Sequence, residues 1–330
     1  MGPRCGAARR WRHDAELVQC SERDTGAGPR YRDGVTGRAR LVSAAWLAAH
    51  LDEPRIRVVD ARWGPDGAGR RAYDGGHIPG ARHVDWERDL AAGAPDNRYR
   101  MAAPEVIAER LGRLGIGDGR LVVAYADPAH GGPYRLWWVM RRLGHASVRV
   151  LDGGWPRWLA EGRPTSRAVP RPAPEHLSIR APRAGLTTIT DLEPKRRAGS
   201  IVDARPAVQH AGHAVWCQGG SEPVDPGTGW AQAGPVRLRG GRIPGSLNLP
   251  STSLFRADGR MLPPARLRAL LAAAGVHDDG PVTTYCGAAI AASTLTFALD
   301  RAGWNDVSLY DASWEEWGRD GGQPIEHDRG

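Results

Sequence analysis

Lysine is almost missing from this chain: Lys195 is the only one among 45 basic residues, and the other 44 are arginines. They alternate with 37 aspartates and glutamates, so the formal charge of +8 is not gathered into the basic stripe that a nucleic-acid surface needs. We read the excess as compositional bias and expect no nucleic-acid partner. Cysteine is scarce too, and Cys5, Cys20, Cys217 and Cys286 form no CxxC pair and no regular spacing. A disulfide framework and a zinc module are therefore not indicated, and a reducing compartment is the default. His213 and Cys217 have helical spacing but lack two further ligands nearby, which leaves no metal site. No apolar run approaches the roughly 18 residues of a membrane span. Met1 to Arg12 carries charge without the apolar core of a signal peptide behind it. The expectation is a cytoplasmic protein with no membrane partner.

What is present is length and punctuation. The 330 residues exceed what one compact domain usually needs. Glycine (43) and proline (26) make up about a fifth of them, so much of the chain is loop. Residues 1–38 show Arg, Gly and Asp without hydrophobic periodicity and are expected to be a disordered tail, or an over-extended start of the reading frame. From Leu41 to Leu51 apolar residues recur at helical spacing with Ser43 as N-cap, and Ile56 to Asp60 reads as a buried strand ending in an acid.

This organisation occurs twice. Ile201-Val202-Asp203-Ala204-Arg205 repeats Val58-Val59-Asp60-Ala61-Arg62, and Gly241-Arg242-Ile243-Pro244-Gly245 repeats Gly76-His77-Ile78-Pro79-Gly80. The strand Leu121 to Tyr125 is matched by Pro281 to Tyr285, each before a small-residue turn and a helical stretch that ends at Gly144 or Gly303. Val148 to Asp152, followed by Trp155 and Trp158, is matched by Val307 to Asp311, followed by Trp314 and Trp317. The tryptophans are read as core or interface anchors. A period of about 150 residues means a duplicated domain, not a solenoid. Strands alternating with helices give an α/β fold, each copy a mainly parallel sheet with helices on both faces. The expected boundaries are 39–162 for the first domain, 163–182 for an extended linker containing Pro164, Pro170, Pro172, Pro174 and Pro182, 183–322 for the second domain, and 323–330 for a tail. Between Arg205 and Ile243 the second copy carries a longer Gly-, Pro- and Trp-rich stretch, a candidate lid or cleft edge that includes Trp216 and Trp230.

In open parallel sheets ligands lie at the carboxyl ends of strands, where loops meet helix N-termini. Cys286 sits there, followed by Gly287-Ala288-Ala289-Ile290-Ala291-Ala292, which has no bulky polar side chain. Such a turn can wrap backbone N–H groups around the sulfur, and the helix N-terminus adds positive partial charge, so thiolate is expected over thiol. These residues, with the Asp-Ala-Arg turns, His77-Ile78-Pro79-Gly80-Ala81, Tyr285-Cys286-Gly287 and Asp311-Ala312-Ser313-Trp314, resemble the two-domain rhodanese family of sulfurtransferases over roughly residues 40 to 320. The resemblance implies an inactive first domain, where Ala126 takes the place of the cysteine, and a site between the domains. It also implies transfer of sulfane sulfur from thiosulfate or 3-mercaptopyruvate to cyanide or a thiol through a Cys286 persulfide. No metal or organic cofactor is required, and the turn residues Gly287, Ala288, Ala289, Ile290 and Ala291 bind the donor. By the same resemblance Arg205 is the substrate-binding arginine, with a buried structural ion pair as the alternative.

Other positions depart from the family. Cys286-Gly287-Ala288-Ala289 resembles the mercaptopyruvate-type turn without its hydroxyl and its second glycine, a further expected arginine is Gln209, and the first-domain histidine aligns with Arg100 and its acidic partner with Glu87. A cleft with Arg100 in it is more cationic and favours an anionic donor. His77, which precedes the Pro79-Gly80 turn, is read as structural, and so are the paired Asp60, Asp203, Asp152 and Asp311, since the half without the cysteine has such aspartates too. A phosphatase of related fold needs an arginine six positions after the cysteine, where Ala292 stands. The more serious alternative is a non-catalytic sulfur-carrier or protein-binding module. Because the duplication supplies its own cleft, a monomer is expected.

Overall fold

The structure, a computed structural model, describes residues 41–94, 97–128, 130–218, 220–319 and 322–328. The tail expected over 1–38 lies outside the described residues. Two five-stranded sheets carry the fold. The first is built from β1 (Leu41–Val42), β2 (Ile56–Asp60), β3 (Arg82–His83), β4 (Leu121–Tyr125) and β5 (Val148–Leu151), in the order β1-β5-β4-β2-β3. Its helices are α1 (Ala44–Ala49), α2 (Ala68–Gly75), α3 (Pro104–Arg113), α4 (Gly132–Arg142) and α5 (Gly154–Ala160).

The second half opens with β6 (Gly185–Thr187), α6 (Ile189–Ala198), β7 (Ser200–Asp203) and the short α7 (Ala207–His210). The insertion then supplies two antiparallel hairpins, β8 (Ala214–Cys217) with β9 (Gly220–Pro223) and β10 (Trp230–Ala233) with β11 (Val236–Arg239). After β12 (Leu247–Asn248) come α8 (Pro264–Ala273), β13 (Val282–Tyr285), α9 (Ile290–Ala302), β14 (Val307–Tyr310) and α10 (Ser313–Trp317). The sheet order β6-β14-β13-β7-β12 repeats that of the first half, and every pairing in both sheets is parallel.

Apolar runs such as Leu121–Tyr125, with four of five residues buried, suit strands covered on both faces. Ser43 caps α1 by accepting from the Trp46 N–H at 3.1 Å, but Leu41 and Val42 pair with β5 as an edge strand instead of joining that helix. His213 precedes β8 and Cys217 ends it, so their four-residue spacing falls on a strand, not a helix.

The recurring motifs build the same buried network in each half. Arg62 pairs with Asp60 at 2.6 Å and donates to Gly76 O at 2.7 Å; Arg205 pairs with Asp203 at 2.6 Å and donates to Gly241 O at 2.8 Å. Tyr125, at the end of β4, accepts the Ile78 N–H at 3.0 Å, and Tyr285, at the end of β13, accepts the Ile243 N–H at 3.2 Å. Asp-Ala-Arg and Ile-Pro-Gly thus recur together because each satisfies the other's buried polar groups. His77 fits the structural reading: it is fully buried, with its ring nitrogens 2.8 Å from Tyr73 O and 3.1 Å from Ala168 O.

The halves meet symmetrically. Asp311 accepts the Met101 N–H at 2.7 Å, and Asp152 accepts the Met261 N–H at 3.0 Å. The equivalent helices α4 and α9 pack on one another through Trp137 and Phe297, ring centroids 5.0 Å apart. This contact explains why α4 is buried almost all round. Residues 163–182 run along the first half, where Ser166 bridges to His77 and Glu175 pairs with Arg57 and Arg120, both at 2.7 Å. The stretch 323–330, expected as a tail, is docked where it is described: Glu326 pairs with Arg242 at 2.8 Å, and Pro324 O accepts from the Trp317 indole at 2.9 Å.

Candidate active site

Cys286 leaves the carboxyl end of β13, at the centre of the second sheet, and the turn after it starts α9. The backbone N–H groups of Ala292, Ala288 and Ala291 lie beside its sulfur and favour its charged form. The small side chains expected from the sequence permit this, since the chain must curl around one atom. Burial, at 3% exposure, pushes the Cys286 thiol above its ordinary value, and the three amides recover only part of the loss. Desolvation thus works against the thiolate that the turn favours.

The cost of the curl falls on Ala289, whose φ of 64° lies in the left-handed region. Ala289→Gly is expected to stabilise the protein by about 1 kcal/mol, because a glycine takes this conformation without the Cβ penalty. Thermal denaturation of the two proteins checks this.

The second half clamps the turn from below. Cys286 O accepts the Trp314 N–H at 2.9 Å, Gly287 O accepts the Glu315 N–H at 3.1 Å, and Ser313 Oγ accepts the Cys286 N–H at 3.2 Å. Ser313 has a φ of 54°, and its counterpart Gly154 has 57°. The sequence signal for this backbone was present, as a glycine in the copy without the cysteine.

From above, Trp216 of β8 covers Gly287 so closely that a Cβ there would lie 2.6 Å from its Cβ and Cγ. Its ring meets Tyr99 of the first half edge-on at 5.1 Å. Trp216 thus borders the cysteine turn, whereas Trp230 stays in its hairpin under Arg237. Ile290 packs against Gly131 of the first half, where a Cβ would be 2.6 Å from Ile290 O. Trp216→Ala is expected to speed iodoacetamide alkylation of Cys286 about tenfold by lowering the cost of opening. Peptide mass analysis, which separates Cys286 from the other thiols, measures it.

Arg205 is not where the family resemblance puts it. It is 1% exposed, locked on Asp203 and Gly241 O, with its guanidinium 4.3 Å from the Trp314 ring. Arg62 holds the same position over Trp155 at 4.7 Å in the half without the cysteine. These contacts fit the alternative, a buried ion pair, while Arg205 Nη1 is buried with no partner among the described residues. Gln209 donates to Ser221 Oγ at 2.6 Å, and Glu87 accepts from Trp63 at 3.2 Å and Gln218 at 3.0 Å. Arg100, half-buried, lies in the loop of residues 97–101 that docks on the second half, where Asn97 also donates to Ala312 O at 3.0 Å.

Glu315 was not anticipated. It lines a small cavity with Arg98, Tyr99 and Trp216, its Oε2 has no partner among the described residues, and burial pushes its carboxyl up to about 7 against the opposing charges of Arg319 and Arg98. Among the described residues no cluster of His, Cys, Asp or Glu could hold a metal, and no helix is long and apolar enough to cross a membrane.

Two like-wound parallel sheets with one cysteine cradled by amides at a strand end define the class. The rhodanese-like domain model matches residues 43–161 and 188–320, and the chain belongs to the rhodanese family in its tandem form. The sulfur carrier protein TtuD of Thermus thermophilus is 31% identical over 86% of this chain and 95% of its own length. The 3-mercaptopyruvate sulfurtransferase of Escherichia coli is 32% identical over 87% and 97%. The crystal structure of SseA from Escherichia coli, a 3-mercaptopyruvate sulfotransferase, covers 84% of this chain and 99% of its own with a TM-score of 0.70 and 26% identity. The chain is a sulfurtransferase.

Proposed function

We propose that Cys286 carries sulfur as a persulfide between a small donor, thiosulfate or 3-mercaptopyruvate, and cyanide or a thiol in the cytoplasm. The observation that carries this is the placement of Cys286 at the carboxyl end of the central strand β13, before a small-residue turn into α9 whose amides favour a charged sulfur. The ionised Cys286 attacks the outer sulfur of thiosulfate; the S–S bond of the donor breaks and sulfite leaves with the electron pair. With 3-mercaptopyruvate the C–S bond breaks instead, and the thiol proton ends on carbon to give pyruvate. Cyanide or a thiolate then takes the outer sulfur and regenerates the Cys286 thiolate. The amides of Ala288, Ala291 and Ala292 meet negative charge on sulfur at every stage, which fixed dipoles in a water-poor site do at no reorganisation cost. The other turn residues, Gly287, Ala289 and Ile290, complete the donor-binding turn. Arg100, on the loop the first half lays against Asp311 and Ala312, is the donor-side cation.

Intact mass after incubation with each donor tests the proposal. A gain of one sulfur that cyanide removes as thiocyanate supports it, and the more effective donor names the substrate. A gain that no small acceptor removes makes the chain a carrier that hands sulfur to another protein. No gain with either donor overturns the persulfide step for both.

A further inference from the structure

The duplication that made the catalytic cleft also made a twin of it. In the first half Ala126 O accepts the Trp155 N–H at 3.0 Å, just as Cys286 O accepts from Trp314, so Ala126 occupies the cysteine's place. The loop ending at Met261 reaches across to the first half, as the loop ending at Met101 reaches to the second. Between that loop and the first half lies a cavity of about 540 Å³, within the range of small-molecule sites. Its walls are mostly apolar: Pro128, two residues past Ala126, with Pro156, Ala160, Phe255 and Ala257. Arg157 pairs with Glu161 at 2.7 Å and Asp258 with Arg260 at 2.7 Å, whereas Arg256, exposed on the rim and within electrostatic reach of Asp258, makes no side-chain hydrogen bond or ion pair among the described residues.

We propose that this twin cleft binds a small organic monoanion with an aromatic or branched apolar body, its charge on Arg256 and its body against Pro128, Pro156 and Phe255. The apolar wall disfavours a compact, strongly hydrated dianion such as thiosulfate, and a guanidinium with open donors favours a carboxylate or sulfonate. With no nucleophile at Ala126 the site binds without reacting. The loop walls are held in place, because Met261 is tied to Asp152 and a Cβ on Gly259 would lie 2.7 Å from Pro128. The cavity is therefore preformed, which spares a ligand the cost of ordering it.

Fluorescence titration of the full-length protein with the aromatic monoanion 8-anilinonaphthalene-1-sulfonate tests the proposal. Binding is expected to saturate at one site per chain. Arg256→Ala should weaken it at least about fivefold through the lost charge-assisted contact. Ala160→Trp, a change at an exposed position that fills the cavity, should weaken it about tenfold or more. Arg266→Ala, an exposed arginine on α8 away from the cavity, should leave the affinity unchanged. Unchanged melting temperature and sulfur transfer in Arg256→Ala separate the site from the fold and from Cys286. Absence of saturation, or wild-type affinity in both Arg256→Ala and Ala160→Trp, overturns the proposal.

Discussion

Cys286→Ser is expected to lower sulfur transfer by about 10³-fold or more, as loss of a nucleophile does elsewhere, and to abolish the donor-dependent gain of sulfur. The fold should survive, since a hydroxyl fills nearly the same volume and the clamp on the turn uses only the Cys286 backbone. The wild-type pH profile carries the second half of this prediction. The reactive form is the thiolate, and burial holds the thiol above its ordinary value despite the amides of Ala292, Ala288 and Ala291. The first step should therefore quicken with rising pH and level off only above the usual thiol range near about 8.5. Below that plateau it should fall about tenfold per pH unit, because the thiolate fraction does. Stopped-flow measurement of sulfite or pyruvate release at limiting donor gives the profile. A plateau already at pH 6 would mean that the resting site is more open or more cationic than this structure. Trp216→Ala connects the two effects, since readmitting water to the turn should move the same plateau toward lower pH.

The turn at Cys286 was legible because it is local. A strand, a cysteine and six residues of which five are Gly or Ala stand out in succession, and the copy with Ala126 supplies an internal control. The α/β class and the two-fold repeat were legible for a related reason: the Asp-Ala-Arg and Ile-Pro-Gly motifs are buried polar partners, so neither copy changes one without the other. The burial of Arg205 was not legible because a motif states a residue type and not a direction. Its partner Gly241 O is 36 residues away and its aromatic cover, Trp314, more than a hundred. The closure of the turn by Trp216, its contact with Tyr99 and the buried carboxyl of Glu315 likewise depend on contacts between distant loops. No periodicity announces them. Ala289 shows the opposite failure. A residue with a normal side chain in a left-handed conformation hides the turn that a glycine there would have advertised.

If Arg205 is structural, Arg205→Ala and Arg62→Ala must behave alike, although only one of the two lies in the half with the cysteine. Each is expected to destabilise the protein by about 3–5 kcal/mol, the cost of leaving a fully buried carboxylate without its partner, read as a lower midpoint in urea. A substrate arginine would behave otherwise: Arg205→Ala would raise KM at nearly unchanged stability, and Arg62→Ala would do neither. The pair also has a pH signature. Burial alone would raise the Asp203 carboxyl, but the charge of Arg205 and the hydrogen bonds from His210 and Arg205 hold it down at about 2. A carboxyl held below its unfolded value of about 3.9 contributes stability that is complete above that value and is lost as pH falls toward 2. The contribution is about 2.6 kcal/mol on this shift. Wild type should therefore lose stability between roughly pH 4 and 2, while Asp203→Asn, already weakened at neutral pH, should lose less across that window. A wild-type curve parallel to that of Asp203→Asn would remove the buried pair from the account of stability and return Arg205 to the cleft.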